Sequence, residues 1–324
     1  MKYTNKFKLP QSLVDALTND DYDLTNAPAN IISVTTSIAP AKLKTLEWRH
    51  WDALEADVSE LLWRMMGTAC HYVVELAAKG ERLSEERWYL DVIDWTIHTA
   101  PEGVKAQDCK WFKKDHIYLS GKMDVYDHAT KKVEDYKFTS LWSWMFDRAA
   151  KPEHIAQLNM NSFAIRLLGF PVEKASIVML FKDWSKSAMR KGEYNDKFSG
   201  ECLLPVNVKE VAAPMWNDDF TKEYIMQRIN QHIEAKTKYT NDDDIPECTP
   251  EERWSKPTKY AVMKKGKERA LRLHDTLEQA EIHAKSDPAL QIEERKGGDI
   301  RCTDYCSANF LCSYYKKVYG NSNK

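Results

Sequence analysis

The sequence predicts a mixed α/β protein. Apolar residues recur at helical spacing between positions 51 and 79, whereas residues 116–138 carry short β-prone runs. A second helical stretch follows, and after it comes a continuously apolar run, Ala175–Phe181, of the kind found in buried strands. We therefore expect a mixed central sheet flanked by helices.

The elements follow in order. The first helix is expected over Trp51–Lys79, either unbroken or interrupted near Gly67, with Gly80 as its end. The runs Met123–Tyr126 and Val133–Phe138 predict the strands of a β-hairpin. Pro152 suits the first turn of a helix that runs to about Leu168, where Gly169 and Pro171 end it.

The second half predicts strand 175–181, a strand near 202–208 and a helix over about 219–238. The acidic stretch 241–246 is the expected boundary, so residues 1–245 would form the core with an N-terminal extension. Residues 246–324 would pack on it as a C-terminal segment containing a hairpin (260–263 and 270–273, with a turn at Lys265-Gly266), a helix (277–284) and a cysteine cluster.

Composition excludes several classes of protein. The chain has 324 residues, of which 43% are hydrophobic and 30% charged, unlike fibrous or disordered proteins. No apolar run approaches the roughly 20 residues of a membrane helix, and the N-terminus lacks the apolar region of a secretory signal. We therefore expect a cytoplasmic protein. A net charge of -2 neither supports nor excludes a nucleic-acid partner.

The hairpin carries a candidate metal site. Asp124 and Asp135 are equidistant from its midpoint, so a simple register places them opposite each other, and Lys137 shares the face of Asp135. Opposed carboxylates repel, and a divalent cation bound by both would compensate. Such a site suits phosphodiester hydrolysis. The alternative is a set of exposed cross-strand ion pairs, worth under about 1 kcal/mol each.

Two helices offer further polar groups. His71 and Glu75 lie one turn apart on one helix face, after Gly67, and His71 could be another metal ligand. Gln157 and Asn161 share a face of the later helix and could contact a nucleotide or the catalytic groups. Taken singly, each pair is more typical of an ordinary helix surface.

In order, Gly67-x3-His71-x3-Glu75, Gly121-Lys122-Met123-Asp124, Asp135-Tyr136-Lys137 and Gln157 resemble the motifs of the RecB-type branch of the PD-(D/E)XK nuclease superfamily, over about residues 32–238. The resemblance implies a restriction-endonuclease-like core. It implies these roles: His71, Asp124, Asp135 and the carbonyl of Tyr136 as metal ligands, Lys137 as the catalytic lysine, and Glu75 and Gln157 as supporting residues.

The chain departs from the family pattern at one position. The family usually has a tyrosine four residues after the glutamine, where this chain has Asn161, so the resemblance does not extend to substrate holding by that helix. Glu134 would replace Asp135 as a ligand only if the hairpin register slipped by one residue, which would turn it to the other face.

Three of the seven cysteines crowd together at Cys302, Cys306 and Cys312. They resemble the C-terminal cysteines of iron-sulfur nucleases of this branch, including the CRISPR adaptation nucleases, whose fourth cysteine precedes the Gly-x3-His helix. No cysteine precedes Cys70 here, so Cys248 is the expected fourth ligand and Cys70 the second choice. The resemblance favours a [4Fe-4S] cluster. On spacing alone, the same cysteines could bind zinc. A further alternative is that they bind no metal and pack as small hydrophobic side chains in their reduced form.

Two basic regions could follow a DNA backbone. The first comprises Lys259, Lys264, Lys265, Lys267 and Arg269. The second comprises Lys182, Lys186, Arg190 and Lys191, near Trp184. A solvated hairpin is the ordinary interpretation of the first region.

Together these features predict a Mg²⁺- or Mn²⁺-dependent DNA nuclease, by resemblance an exonuclease acting on linear ends or single strands in recombination or repair, a phage-encoded enzyme being one version. Two alternatives stay open: a non-catalytic DNA-binding or assembly protein with a nuclease-like fold, and a nuclease acting on RNA. The chain has no Walker sequence, so a motor would be a separate partner. A recombination partner protein or a homo-oligomer is compatible with this prediction.

Overall fold

The computed structural model describes residues 1–18, 28–77, 82–84, 87–101, 103–145 and 148–320. The chain forms two compact units, the first made of residues 1–39 and 55–234, the second of 40–54 and 235–324. This division differs from the boundary expected after residue 245. The guanidinium of Arg49 bonds to Asp242 and to the carbonyl of Tyr239, which ties residues 40–54 to the segment before 245.

The first unit contains eleven strands and seven helices in the described ranges. Its strands are β1 (Lys2–Thr4), β2 (Ile31–Ser33), β3 (Glu55–Asp57), β4 (Arg82–Ser84), β5 (Arg87–Asp91), β6 (Ile97–Thr99), β7 (Tyr118–Lys122), β8 (Val125–Asp127), β9 (Lys132–Thr139), β10 (Lys174–Phe181) and β11 (Val208–Ala212). Its helices are α1 (Gln11–Thr18), α2 (Val34–Ile38), α4 (Leu62–Ala77), α5 (Trp142–Met145), α6 (Pro152–Leu167), α7 (Lys186–Arg190) and α8 (Asp218–Thr237), whose last turn belongs to the second unit.

The second unit is smaller. Its helices are α3 (Ala41–Arg49), α9 (Leu277–Ala284) and α10 (Ser313–Tyr319). Its strands are β12 (Ser255–Lys256), β13 (Lys259–Lys264), β14 (Arg272–His274), β15 (Leu290–Arg295) and β16 (Gly298–Asp299). The hairpin of β13 and β14 turns at Gly266, whose φ is +74°, and β15 adds a third antiparallel strand that the sequence did not predict. Helix α9 has the predicted bounds.

Two sheets organise the first unit. The larger has the strand order β11-β10-β9-β8-β4, and the other has the order β2-β7-β5-β6. Strands β9 and β10 are parallel, and α6 forms the crossover between them, as the predicted order of hairpin, helix and buried strand requires. The protein is therefore mixed α/β with several sheets. None of the helices in the described ranges combines the length and apolar character needed to cross a bilayer.

Helix α6 is the central helix of this unit. Leu158 and Ile165 pack in one hydrophobic cluster with the strands of the larger sheet, while Met160 and Phe163 pack in a second cluster with β5 and α8. A helix that is apolar on most sides is buried, and this burial fixes the orientation of its few polar residues. Gln157, near its N-terminus, is held in place in this way.

One predicted helix begins later than expected. Trp51–Ala53 and Val58–Leu61 are 3₁₀ turns, and Glu55–Asp57 forms β3, parallel to β1. The carboxylate of Asp57 accepts hydrogen bonds from the backbone N–H of Lys6 and the hydroxyl of Thr4, so a partner 50 residues away overrides the helical pattern. Helix α4 then passes through Gly67 without a break. Lys79 and Gly80 lie outside the described residues.

The strand expected at 202–208 is also displaced. Cys202 forms only an isolated bridge with Asn195, and the strand that joins the sheet is β11, Val208–Ala212. Its side chains alternate between exposed and half-buried, as at an edge strand, so it lacks the continuous apolar pattern of β10.

Gly121 of the predicted motif has a steric role. It pairs with Trp88 of β5, and a Cβ at this position would lie 2.2 Å from Cζ2 of that indole ring. No side chain fits at that distance. Trp88 is 1% exposed, so the ring cannot move aside into solvent. Glycine is required here to let β7 approach β5.

Candidate active site

The hairpin register brings the two predicted carboxylates together. Val125 pairs with Glu134 and Asp127 with Lys132, and continuing this register by one residue sets Asp124 opposite Asp135. The register did not slip. Glu134 lies on the other face, where its carboxylate contacts Nζ of Lys132 at 2.6 Å and the hydroxyl of Tyr136 at 3.0 Å.

Asp124 is held by a helix and by the facing strand. Its Oδ2 lies 3.2 Å from Nδ1 of His71 on α4. The same oxygen accepts a hydrogen bond of 2.7 Å from the backbone N–H of Tyr136 on β9. His71 reaches Asp124 because α4 packs against β9, which faces Asp124. The sequence motifs had placed these two residues in one site.

Asp135 and Lys137 point to the same face of β9, as their spacing predicted. Nζ of Lys137 lies 2.7 Å from Oδ2 of Asp135 and donates a hydrogen bond of 3.2 Å to Oε1 of Gln157 on α6. Asp135 is only 2% exposed, and its Oδ1 has no hydrogen-bond partner. A buried carboxylate oxygen without a partner is costly, and a cation would satisfy it.

The charged groups of this cluster act on one another, and Asp135 shows the effect on its pKa. Burial raises the pKa of Asp135, the Asp124 carboxylate raises it further, and Lys137 and His71 lower it. A carboxyl in such surroundings binds a proton more readily than usual, or it binds a metal ion. Two carboxylates and an imidazole are donor types that a divalent cation accepts, and one oxygen of Asp135 is free to bind it. One ligand atom each of His71, Asp124 and Asp135 do not all lie within 4.8 Å of one another, so a shared cation would draw these side chains closer.

The remaining predicted residues are less closely tied to the cluster. Tyr136 lies between Asp135 and Lys137, and its carbonyl stays a predicted ligand. Among the described residues, no hydrogen bond or ion pair joins Glu75 to the cluster, although it lies one turn beyond His71. Asn161 is 2% exposed, so its side chain is not available to a substrate at the surface.

His154 was not predicted and lies beside this cluster. It precedes Gln157 by three residues on α6, its Nδ1 is buried without a hydrogen-bond partner, and burial lowers its pKa to about 4. The ammonium of Lys137 is the second cause of this lowered pKa. The sequence signal was available: helical spacing places residues 154 and 157 on one face.

A second constellation in the first unit has a structural explanation. One ligand atom each of Asp91, Asp94 and His116 lie within 4.8 Å of one another. Asp91 accepts from Nδ1 of His116 at 2.5 Å and from the N–H of Ile93, and Asp94 accepts from the N–H of Thr96. The two backbone bonds close the turn between β5 and β6, and the bond from His116 ties the segment before β7 to the end of β5, so these contacts account for the cluster.

The four predicted cysteines meet in the second unit. Cys248, Cys302, Cys306 and Cys312 line one cavity, together with Lys42, Leu46, Arg253 and Tyr314. Cys248 therefore joins the C-terminal trio, as expected. Cys70, the second choice, lies on α4 of the first unit, directly before His71.

The sulfur atoms are spread around this cavity. No three of the four lie within 4.8 Å of one another, whereas zinc–sulfur bonds of about 2.3 Å imply sulfur atoms about 3.8 Å apart in a tetrahedral site. Burial is the main reason that the pKa of Cys248 rises to about 12 and that of Cys302 to about 11. Four cysteines around one cavity are a donor set for a thiolate-bound metal centre.

The wall of this cavity is anchored at Asp299, which is 6% exposed. Its carboxylate accepts hydrogen bonds from the hydroxyls of Ser255, Tyr314 (2.7 Å) and Tyr319 (3.1 Å), and it pairs with Nε of Arg253 at 3.3 Å. These bonds connect β12, β16 and α10. The segment that carries the cysteines is thereby fixed by polar contacts as well as by apolar packing.

The first basic region is a hairpin tip. Lys264, Lys265, Lys267 and Arg269 are exposed at the turn after β13, and none forms an ion pair within the described ranges. Lys259, at the other end of the strand, pairs with Asp275. Its charge is therefore partly neutralised.

The second basic region includes an aromatic residue that was not predicted. Nζ of Lys182 lies 3.7 Å above the ring of Trp63, which is 56% exposed and packs 6.4 Å from Phe138. Trp184 instead turns inward and donates to the carbonyl of Leu204. The exposed indole near this basic region is Trp63, because β10 ends beside β9 and Phe138.

Comparison with known proteins adds little. No family model matches the chain, and no curated protein matches it. The crystal structure of SSO0001 is similar over 71% of this chain and 86% of that one, with 14% sequence identity and a TM-score of 0.39. A likeness at this level carries no argument about function.

Proposed function

We propose that this protein is a Mg²⁺-dependent DNA nuclease of the RecB-type branch of the PD-(D/E)XK superfamily, with a restriction-endonuclease-like core. One observation carries the proposal: Asp124, Asp135, Lys137, His71 and Gln157, from four separate stretches of the chain, converge around an unpartnered carboxylate oxygen. The order α4, hairpin of β8 and β9, α6 and β10 supports the fold assignment.

In this proposal, His71, Asp124, Asp135 and the Tyr136 carbonyl hold the divalent cation. The cation would bind a phosphodiester oxygen and lower the pKa of a water molecule. The protein holds the ligands in place: the N–H of Tyr136 orients Asp124, and the buried position of Asp135 keeps its carboxylate free of bulk water. A dry, oriented site strengthens every charge interaction within it.

Lys137 would orient the attacking water or stabilise the charge that develops on the phosphate. Gln157 fixes the ammonium from the side of α6 through its Oε1. This anchor needs no charge, so it leaves the positive charge of Lys137 available to the substrate. Gln157 is therefore a positioning residue in this mechanism.

The DNA strand would approach along the second basic region. Lys182, Lys186, Arg190 and Lys191 are exposed, and none forms an ion pair with a described residue. Unneutralised cations bind phosphates, and exposed aromatic rings stack on bases. Trp63 lies eight residues before His71 on α4, about 12 Å along the helix at a rise of about 1.5 Å per residue. The cluster and this region are thus within reach of one strand.

In the second unit, the four cysteines would hold a [4Fe-4S] cluster. The resemblance of the C-terminal cysteine trio to that of iron-sulfur nucleases favours it over zinc, which four cysteines could also hold. Its role would be structural, since the cavity is walled by α3, the segment after Cys248 and the C-terminal residues. A centre bound there would join three stretches of chain that are distant in sequence.

The test is degradation of end-labelled linear DNA, single- and double-stranded, with Mg²⁺ or Mn²⁺, beside EDTA and Lys137→Ala controls. We expect cleavage that both controls remove, with end preference visible in the product ladder. Binding without cleavage under every metal condition would favour a non-catalytic DNA-binding protein. Cleavage of RNA alone would assign a different substrate.

A further inference from the structure

We propose that His154 is a positioning residue that receives the ammonium of Lys137 when a divalent cation occupies Asp135. This inference rests on the proposed function, because it concerns the metal-loaded form of the same cluster. It extends that function to a residue outside the motifs that suggested it.

Lys137 has more hydrogen-bond donors than acceptors around it. An ammonium group has three N–H donors. Two of them are directed to Oδ2 of Asp135 and Oε1 of Gln157. A divalent cation bound to the free Oδ1 of Asp135 would repel the ammonium that contacts Oδ2 and draw charge from this carboxylate. The contact of Lys137 with Asp135 would weaken, and an additional neutral acceptor would then stabilise the ammonium.

His154 supplies that acceptor. It lies one turn before Gln157 on α6, the helix that already contacts Lys137, and its Nδ1 is buried without a hydrogen-bond partner. With the ring proton on Nε2, Nδ1 presents a lone pair. Gln157 and His154 together would form a pair of neutral acceptors for Lys137, one turn apart on α6.

The charge state of His154 is compatible with this role. Burial and the neighbouring Lys137 lower its pKa to about 4, so the ring is neutral near pH 7. A protonated imidazole would repel the ammonium, whereas a neutral one can accept from it. The charged residues next to it, Lys151 and Glu153, act in opposite directions on its pKa and are minor causes.

The first experiment follows the ring directly and needs no cleavage. Long-range ¹H–¹⁵N correlation spectra of the histidine side chains are recorded while Mg²⁺ is added, with the signal assigned by its loss in His154→Asn. We expect Nδ1 of His154 to shift upfield, as a nitrogen does when it accepts a hydrogen bond, in the wild type and not in Lys137→Ala. Mg²⁺ binding without this shift, or with the same shift in both proteins, would overturn the role of His154.

The second experiment separates positioning from packing. Asn places an acceptor near the position of Nδ1, whereas Phe keeps the ring and removes the acceptor. We expect His154→Asn to keep kcat within about 3-fold of the wild type, and His154→Phe to lower kcat about 10-fold with unchanged KM, the effect of one hydrogen bond. Equal kcat in the two variants would contradict the proposal. Absence of Mg²⁺ binding in the wild type would instead overturn the nuclease assignment itself.

Discussion

The two candidate metal sites of this protein are built in opposite ways. In the carboxylate cluster of the first unit, Asp124 and Asp135 already contact His71 and Lys137 within about 3 Å. In the cysteine cavity of the second unit, four thiols line one space, and burial raises the pKa of Cys248 and Cys302, which keeps these two uncharged. The first cluster is held together by its own charges, whereas the second has no such internal partners.

This difference predicts which of the two sites depends on its metal for folding. Lys137 partly compensates the buried charge of Asp135, so the first unit can fold before a cation binds. The buried thiols have no oppositely charged partner of this kind, and they become thiolates when a metal displaces their protons. We therefore expect metal to control activity in the first unit and stability in the second.

The largest effect should come from breaking the cysteine site. Cys302→Ser should remove the bound centre and unfold much of the second unit, since structural metal sites contribute on the order of 10 kcal/mol. Calorimetry and the visible absorbance of anaerobically purified protein measure this, with Cys202→Ser as the control because Cys202 lies in the first unit. The comparison would be contradicted if the wild type were colourless and if Cys302→Ser unfolded at the same temperature as the wild type.

The next effect should be purely catalytic. Lys137→Ala should reduce cleavage by about 100- to 1,000-fold, because a positioned charge at the reacting phosphate contributes about 3 to 4 kcal/mol. DNA binding and the far-ultraviolet circular dichroism spectrum should stay close to those of the wild type. Lys174→Ala, on the neighbouring strand, is the matched control and should retain full activity. Residual cleavage near the wild-type rate would remove Lys137 from the mechanism.

Polar anchoring of the second unit can be broken without touching a cysteine. Asp299→Ala should lower the free energy of unfolding by about 3 kcal/mol, since it leaves Arg253 and two tyrosine hydroxyls without their buried partner. Urea denaturation measures the loss. Asp275→Ala, which removes an exposed partner of Lys259, should cost under about 1 kcal/mol. Equal losses would show that Asp299 is not an anchor.

The first unit should in turn show a dependence on pH. The pKa of His154 is lowered to about 4 in the folded protein, against about 6.5 when unfolded. The unfolded chain therefore binds more protons between these values, and stability falls as the pH decreases. His154 should contribute a loss of about 2 kcal/mol between pH 7 and pH 5. His154→Asn should reduce the slope of unfolding free energy with pH, and an unchanged slope would contradict it.

The smallest effect concerns substrate contact. Trp63→Ala should weaken single-stranded DNA binding about 5-fold, since stacking of one base on an aromatic ring contributes at least about 1 kcal/mol. The second unit offers a matched control in Trp48, which is 52% exposed and has Nζ of Lys236 at 5.3 Å. Fluorescence anisotropy would compare the two variants. Equal weakening of DNA binding in the two variants would show that Trp63 has no specific role in contacting DNA.

Much of the fold was predictable where the signals are local. The hairpin of β8 and β9, the bounds of α6 and the whole of α9 follow from turn residues, Pro152 and apolar spacing. The helix expected from Trp51 failed because β1 pairs with β3, a contact that no local pattern reports. The same limit explains β11, whose edge position gives it no apolar run.

The candidate site was predictable for a related reason. Asp124, Asp135 and Lys137 share one hairpin, so counting residues was enough to bring them together. Trp63 could not be found in this way, because it meets Lys182 only after β9 and β10 have paired. His154 was missed for a simpler reason, since its spacing to Gln157 was visible but its burial was not.

The discontinuity of the second unit has a consequence for synthesis on the ribosome. Residues 40–54, including Lys42 and Leu46 of the cavity wall, are translated before the intervening residues 55–234 and the last segment, 235–324. At about 5 to 20 residues per second, the first piece waits roughly ten to forty seconds for its partner. The first unit can fold during that delay, whereas α3 must wait for the residues after 234 with which it lines the cavity. Insertion of the proposed cofactor would therefore be among the last events in the maturation of the chain.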